Sequence, residues 1–251
     1  MNYRFIIENM TWSYSRLTAF EDCPYGWFLK YIEGLPSESN FFAEYGSFIH
    51  KILQMFYDGE LSKNQLPLYY LDQFSKEIKA KPPKAATWNN YYSQGYRYLS
   101  SFQPVCKKPN GVERKVQFET SGKLFTGIVD LDFQDSELCI VDHKSRILKG
   151  RKTKKESATL NSYLRQLYLY AIPIYEIYHK YPDKLGFNCF RSQEMIWEPF
   201  RFGELQKTKS WAAELIAAIE RTSQWNPNPD YFRCRYLCDM REHCIYKNMI
   251  V

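Results

Sequence analysis

Four cysteines at opposite ends of the chain place the tightest constraint on how it can fold. Cys23 stands in Glu21-Asp22-Cys23-Pro24-Tyr25, whereas Cys234, Cys238 and Cys244 all fall between Phe232 and Cys244. Thiolates bind soft or borderline metals, and four of them suffice for a tetrahedral zinc or an iron–sulfur cubane. One group shared by all four would close a loop of roughly 200 residues and force the two ends together. Three residues separate Cys234 from Cys238, and five more precede Cys244. Structural zinc usually takes shorter knuckles, and nothing beside Cys23 supplies a second one. Cys106, Cys139 and Cys189 are isolated and read as small buried apolar side chains. An odd total of seven cysteines, with no apolar leader at the start, fits thiols or metal ligands in a cytoplasmic setting better than a disulfide frame.

The 251 residues can bury a full core, and the organisation reads as a single domain over 1–251. No run approaches bilayer length, which argues against a membrane partner. Ser13 or Ser15 caps a helix that runs towards Cys23, and Tyr25–Tyr31 continues as another. Ile49, Ile52, Leu53 and Phe56 recur at helical spacing over Gly46–Tyr57, with Gly46 allowing close approach near the beginning. Pro82-Pro83 breaks the chain before a helix from about Trp88 to Ser100.

The period then changes. Gly111–Glu119, Leu124–Phe133 and Leu138–Lys144 read as strands, and Gln134–Ser136 offers the turn that makes the last two a hairpin. Arg146 to Lys155 carries six basic residues in ten and reads as an exposed loop able to hold phosphate. Helices follow over Asn161–Lys180, kinked or divided at Pro173, and Glu204–Gln224, with Trp211, Leu215 and Ile219 as its apolar face. Phe187–Arg191 and Met195–Phe200 add strands between them. The fold class is therefore α/β, a mixed central sheet with flanking helices. The segments at about 13–60 and 225–251 form a cysteine-bearing cap.

Strand alternation puts Asp142 and Lys144 on one face and turns His143 away. Asp130, in the preceding strand, meets them if the hairpin register is right. Two carboxylates and an ammonium together are costly unless a hard divalent cation uses them, and such a cation bridges a protein to a phosphate diester. A net charge of +6 and 21 tyrosines, in a chain 18% aromatic, favour a polyanionic partner with rings available for stacking. Singly, each fragment is ordinary: Asp-x-Lys triplets are common, and Gln166 and Tyr170 are plain i,i+4 neighbours. Their joint order, with an apolar strand leading into each aspartate, points to phosphodiester hydrolysis.

Gly127-Ile-Val-Asp130 followed by Val141-Asp142-His-Lys144 resembles the PD-(D/E)XK nuclease superfamily. Gly46-Ser-Phe-Ile-His50 and Gln166-Leu-Tyr-Leu-Tyr170 resemble motifs of its RecB-like exonuclease branch. That resemblance implies a restriction-endonuclease-like core, with catalytic roles for Asp130, Asp142, Lys144, Gln166 and Tyr170. It implies Mg²⁺ or Mn²⁺ held by His50, Asp130, Asp142 and the backbone carbonyl of His143. Glu113 falls where the branch often has an acid, with no role assigned. Leu17-Thr-Ala-Phe-Glu-Asp-Cys23-Pro-Tyr is similar to the first-cysteine segment of iron–sulfur members, the AddB-type helicase–nuclease domains and CRISPR-associated exonucleases. By that likeness Cys23, Cys234, Cys238 and Cys244 hold a structural [4Fe-4S] cluster in preference to zinc. The three-residue gap after Cys234 departs from the usual two. The implied activity is exonucleolytic hydrolysis of DNA with single-stranded or frayed ends, with a helicase or other DNA-processing protein as partner. Alternatives are a structure-specific or restriction-type endonuclease, or a catalytically silent nucleic-acid-binding assembly protein. DNA repair, CRISPR spacer acquisition and phage DNA metabolism all accommodate these residues.

Overall fold

The change of period in the middle of the chain marks where the sheet forms. A computed structural model of the protein describes residues 3–148 and 153–248. Among these residues one sheet has five strands in chain order: β1 (Gly111–Thr120), β2 (Lys123–Gln134), β3 (Leu138–Lys144), β4 (Lys184–Cys189) and β5 (Glu194–Pro199). The β1–β2, β2–β3 and β4–β5 pairs are antiparallel, while β3 and β4 run parallel. The α/β class with a mixed sheet is thus the architecture found.

The helices are α1 (Arg4–Glu8), α2 (Tyr14–Asp22), α3 (Pro24–Tyr31), α4 (Phe41–Tyr57), α5 (Leu66–Glu77), α6 (Ala85–Ser100), α7 (Lys154–Tyr178) and α8 (Phe202–Arg221). A parallel strand pair needs a crossover, and α7 supplies it between β3 and β4. Ser13 Oγ caps α2 by accepting from Arg16 N–H at 3.1 Å. Asn40 caps α4, which therefore starts at Phe41 and places Gly46 inside the helix. A Cβ at Gly46 would meet only Ser145 Oγ, at 3.8 Å, so no close approach requires glycine there. Among the described residues, α1 and α5 were not foreseen; α5 buries Leu66, Tyr70 and Phe74 at i, i+4 and i+8.

Thr153 caps α7 at Lys154, so Lys154 and Lys155 belong to a helix instead of a loop. Of the basic run, Arg146–Leu148 precede that helix, and 149–152 lie outside the described residues. The helix continues as one element through Pro173, which is buried among its apolar neighbours. In α8 the buried stripe is Leu205, Thr208, Ala212, Ile216 and Ile219, which leaves Trp211 and Leu215 half-buried at its margin.

Two cores hold the sheet in place. Leu17, Trp27, Val129, Ile140, Leu167, Phe187 and Ile216 join α2, α3, α7 and α8 to one side. Tyr45, Phe48, Tyr70, Phe74, Tyr98 and Phe102 bind α4, α5 and α6 into an aromatic cluster. Each such ring contributes about 1.5–3 kcal/mol relative to exposure. The second core fixes α4, and α4 carries His50. No helix among the described residues is long and apolar enough to cross a membrane.

The chain after α8 returns to the α2–α3 junction. Asn228 Nδ2 donates to the Asp22 carbonyl at 3.1 Å, Glu38 N–H donates to the Asp239 carbonyl at 2.9 Å, and Lys30 pairs with Asp239. A π-helical turn, Arg233–Leu237, then presents the last cysteines.

Candidate active site

The β2–β3 ladder stops early. Its last pair is Leu131 with Val141, although β2 reaches back to Lys123 and β3 runs on to Lys144. Val129 packs in the core beside α7, yet Leu131 joins a separate cluster with Phe133, Cys139 and Val141. Residues two apart in a strand share a face, so β2 turns over at Asp130. In β1 the residue between the flanking pairs, Glu113, has φ +43°, in the left-handed region that few side-chain-bearing residues adopt. The strands part here. Trp12 takes the exposed edge of β2, donating its N–H to Leu124 O and accepting from Thr126 N–H, each at 2.8 Å.

Parting would leave the His143 backbone without a strand partner on that side. Side chains supply the partners instead. His143 N–H donates to Asp130 Oδ2 at 2.7 Å, and its carbonyl accepts from His50 Nε2 at 2.8 Å. His50 Nδ1 lies 3.2 Å from Glu113 Oε1 and 3.6 Å from Asp130 Oδ2. Ligand atoms of His50, Glu113 and Asp130 all lie within 4.8 Å of one another.

Alternation along β3 is as expected. The His143 ring turns away, with Nδ1 3.0 Å from Asn188 Nδ2, while Asp142 and Lys144 face the cleft. Lys144 Nζ lies 2.7 Å from Asp142 Oδ2, but off the direction a hydrogen bond needs, so that buried oxygen has no hydrogen-bond partner. The ammonium also donates to Gln166 Oε1 at 2.8 Å, and Gln166 Nε2 donates to Tyr170 OH at 3.3 Å. Tyr170 reaches this position because residue 127 is glycine; any Cβ there would run into its ring. The two residues spaced four apart on α7 thus form one relay behind the lysine.

Electrostatics reinforce the geometry. Burial, and then the Asp142 charge, raise the pKa of Asp130. Burial disfavours the charged His50 ring, yet Asp130, Glu113 and Asp142 together outweigh it and push its pKa up to about 9. Lys144 follows the same logic: burial opposes its charge, Asp142 and Asp130 more than restore it, and its pKa rises. Burial holds His143 well below the usual imidazole range. Crowded acids and a retained imidazolium are what a site built around a removable cation should show. Hollows of about 510 and 550 Å³ flank the centre, and both are bordered by His50, Glu113, Asp130 and Gln166.

Three residues enter the site to which the sequence assigns no role: Glu113, Tyr163 and Arg191. Glu113 joins His50 through the backbone irregularity, which no local pattern signals. The Tyr163 ring lies 5.4 Å from Lys144 Nζ, and its hydroxyl accepts from Arg146 Nη1 at 2.7 Å. Arg191 stacks 3.6 Å over Tyr91 and donates to the Ser145 carbonyl at 3.4 Å, bracing the end of β3.

All four terminal cysteines line one cavity of about 290 Å³ between the α2–α3 junction and the C-terminal turn. Cys23 Sγ accepts from Gly26 N–H at 3.4 Å and Asn228 N–H at 3.5 Å. Cys106, Cys139 and Cys189 are buried elsewhere.

A family model described as the PD-(D/E)XK nuclease superfamily matches residues 11–245. No curated protein matches the chain. Among solved structures, a "Putative exonuclease" from Eubacterium rectale is similar at 12% identity and TM-score 0.50, covering 96% of this chain and 90% of that one. That likeness concerns the fold alone. A second structure, SSO0001, shares 14% identity over 80% of this chain and 96% of its own, at a TM-score of 0.33 that supports no argument.

Proposed function

The chain belongs to the PD-(D/E)XK nuclease superfamily, and we propose that within it the protein is a metal-dependent, RecB-like exonuclease acting on DNA with single-stranded or frayed ends. The observation that carries this reading is the convergence of His50, Asp130, Asp142 and Lys144 around the His143 backbone in one cleft. The donor set fits a hard divalent cation: carboxylate oxygens of Asp130 and Asp142, the His143 carbonyl and one imidazole nitrogen. That nitrogen suits Mn²⁺ as well as Mg²⁺. Glu113 stands ready as a further oxygen donor or as the partner that orients His50. A bound cation would neutralise charge on the scissile phosphate and acidify the attacking water.

The chain's own groups then divide the work. Lys144 keeps its charge and directs N–H bonds at the water or at the oxyanion that develops on phosphorus. Gln166 fixes the Lys144 rotamer, and Tyr170 fixes Gln166. Water loses a proton as its oxygen adds to phosphorus, one P–O ester bond breaks, and the leaving oxygen gains a proton from solvent, so that one water is consumed per bond cut. The preference for ends follows the RecB-like resemblance. Linear and covalently circular single-stranded DNA, each with Mn²⁺, test it. Release of nucleotides from the linear form alone, abolished in Lys144→Ala, is the expected result. Cutting of the circle would make the protein an endonuclease, and binding without cutting would make it an assembly protein.

For the cysteines the reading is a structural [4Fe-4S] cluster. Support comes from the four cysteines bordering one cavity of about 290 Å³, together with the likeness of the Cys23 segment to iron–sulfur members of the superfamily. Two backbone N–H donors, from Gly26 and Asn228, orient the Cys23 sulfur towards the cavity. Anaerobic purification with iron and sulfide analysis tests this; zinc without iron would refute it.

A further inference from the structure

Between α7 and α8 lies a cavity of about 350 Å³ that the hydrolytic centre does not use, bordered by Arg165, Tyr168, Arg201, Glu204, Lys207 and Trp211. The Arg165 guanidinium sits 4.5 Å over the Trp211 ring, a flat cationic stack at the wall of the hollow. Glu21 orders both partners, 3.7 Å from Arg165 and accepting from Trp211 Nε1 at 2.9 Å. Arg201 and Lys207 are exposed. Lys207 pairs with Glu204 at 2.7 Å, with side chains 74% and 41% exposed, a contact that a phosphate can displace cheaply.

The hollow neighbours the cleft, with Tyr14 and α7 between them. Tyr14 borders the 550 Å³ hollow at the acids, and its ring packs 6.2 Å from Trp211. On α7, Arg165 in the outer hollow adjoins Gln166 at the catalytic lysine. Beyond Arg201 the surface carries rings. Phe200 stacks on Tyr181 at 5.0 Å and Tyr181 on Tyr175 at 4.4 Å, with Phe202 55% and Tyr175 43% exposed. Cations interleaved with exposed aromatic faces are what an unpaired strand recognises: phosphates take the charges and any base can stack. Protein partners of similar charge would not call for exposed rings such as Tyr175 and Phe202 beside these cations.

We propose that the α7–α8 hollow is a second binding site for the unpaired strand of the same substrate, with Arg165, Arg201 and Lys207 on its phosphates and Trp211 and the neighbouring rings under its bases. This rests on the nucleic-acid reading of the cleft, and it adds the direction in which the strand runs, across α2 and over α8. The site makes affinity depend on strand length.

The test measures binding of single-stranded thymidine oligomers of about four and about sixteen nucleotides, the span of single-strand footprints, with chelator present to prevent cutting. The unaltered protein and Arg201→Gln/Lys207→Gln are compared across a salt series. Two lost phosphate contacts should reduce the salt slope for the long oligomer by about 1.4, at about 0.7 per contact, and leave the short oligomer and its Mn²⁺-dependent turnover unchanged. An unchanged slope with the long oligomer, or equal losses with both, overturns the proposal. In the unaltered protein, photocrosslinking of a long strand carrying 5-iodouracil should label the peptide containing Trp211. Labelling confined to α4 and β1 would also overturn it, so the test survives a variant that misfolds. Wild type that cleaves normally alongside either negative result removes this site alone; wild type that neither binds nor cleaves removes the nuclease reading as well.

Discussion

Replacing Gln166 with leucine removes the neutral partner that holds the Lys144 ammonium while leaving the two carboxylates, His50 and the strand geometry in place. The lost contact is a 2.8 Å hydrogen bond from a charged donor. Bonds of that kind contribute about 1.5–3 kcal/mol. If the whole of it serves to hold the lysine in its transition-state position, turnover should fall by about 10- to 150-fold, at 1.36 kcal/mol per decade. Asp142 would still attract the ammonium from 2.7 Å, so charge persists and only its direction is released. The assay is steady-state release of nucleotides from linear single-stranded DNA with Mn²⁺, together with Lys144→Ala and the double variant. Because Gln166 acts through Lys144, its replacement in the Lys144→Ala background should cost almost nothing further. Additive losses in the double variant, or a Gln166→Leu effect confined to KM, would refute the relay and make Gln166 a substrate contact.

Metal affinity should depend on pH with a definite sign. His50 is held protonated, with its pKa pushed up to about 9, and a metal ligand must be neutral; binding therefore releases a proton, and apparent Mn²⁺ affinity should rise about tenfold per pH unit per proton until it levels near pH 9. Calorimetry in buffers of different ionisation enthalpy reads that proton, and affinity that falls with pH would show that His50 is not a ligand. Gly127→Ala should cost about 1–3 kcal/mol by overpacking against Tyr170 and also lower turnover; unchanged Tm and rate would mean the ring moves aside freely. Burial pushes the Cys238 thiol up to about 11, so without a metal it stays protonated, and the proposed cluster would have to displace that proton. Cys23→Ala should accordingly lose iron and expose 222–232 to limited proteolysis, whereas retained iron would place the fourth ligand elsewhere.

Local pattern was enough for the parts of this protein whose physics is local. Period-2 stretches mark β1 to β3, a serine cap at Ser13 or Ser15 marks α2, with the structure selecting Ser13, and alternation alone separates Asp142 and Lys144 from His143. The i,i+4 spacing of Gln166 and Tyr170 was visible too, and its meaning came only with the helix docked against Gly127. The helix α7 begins at Lys154 and not at Asn161, because the Thr153 cap draws the last lysines of the basic run into its first turn, and Pro173, buried in the core, does not divide it. In α8 the expected Ile219 is buried, while Ala212 and Ile216 take the centre of the stripe and Trp211 and Leu215 pack half-buried at its margin.

What tertiary structure alone decided is the opening between β2 and β3. Amino-acid order supplies the acids, the lysine and the imidazole, but not the event that brings them together. That event is the end of a ladder at Leu131, which leaves a backbone N–H and carbonyl at His143 to be satisfied by Asp130 and by His50 from a helix about 90 residues away. Backbone groups must find partners, and which partners are within reach depends on how distant elements pack. For the same reason Glu113 became part of the centre and four cysteines from the two ends came to border one cavity.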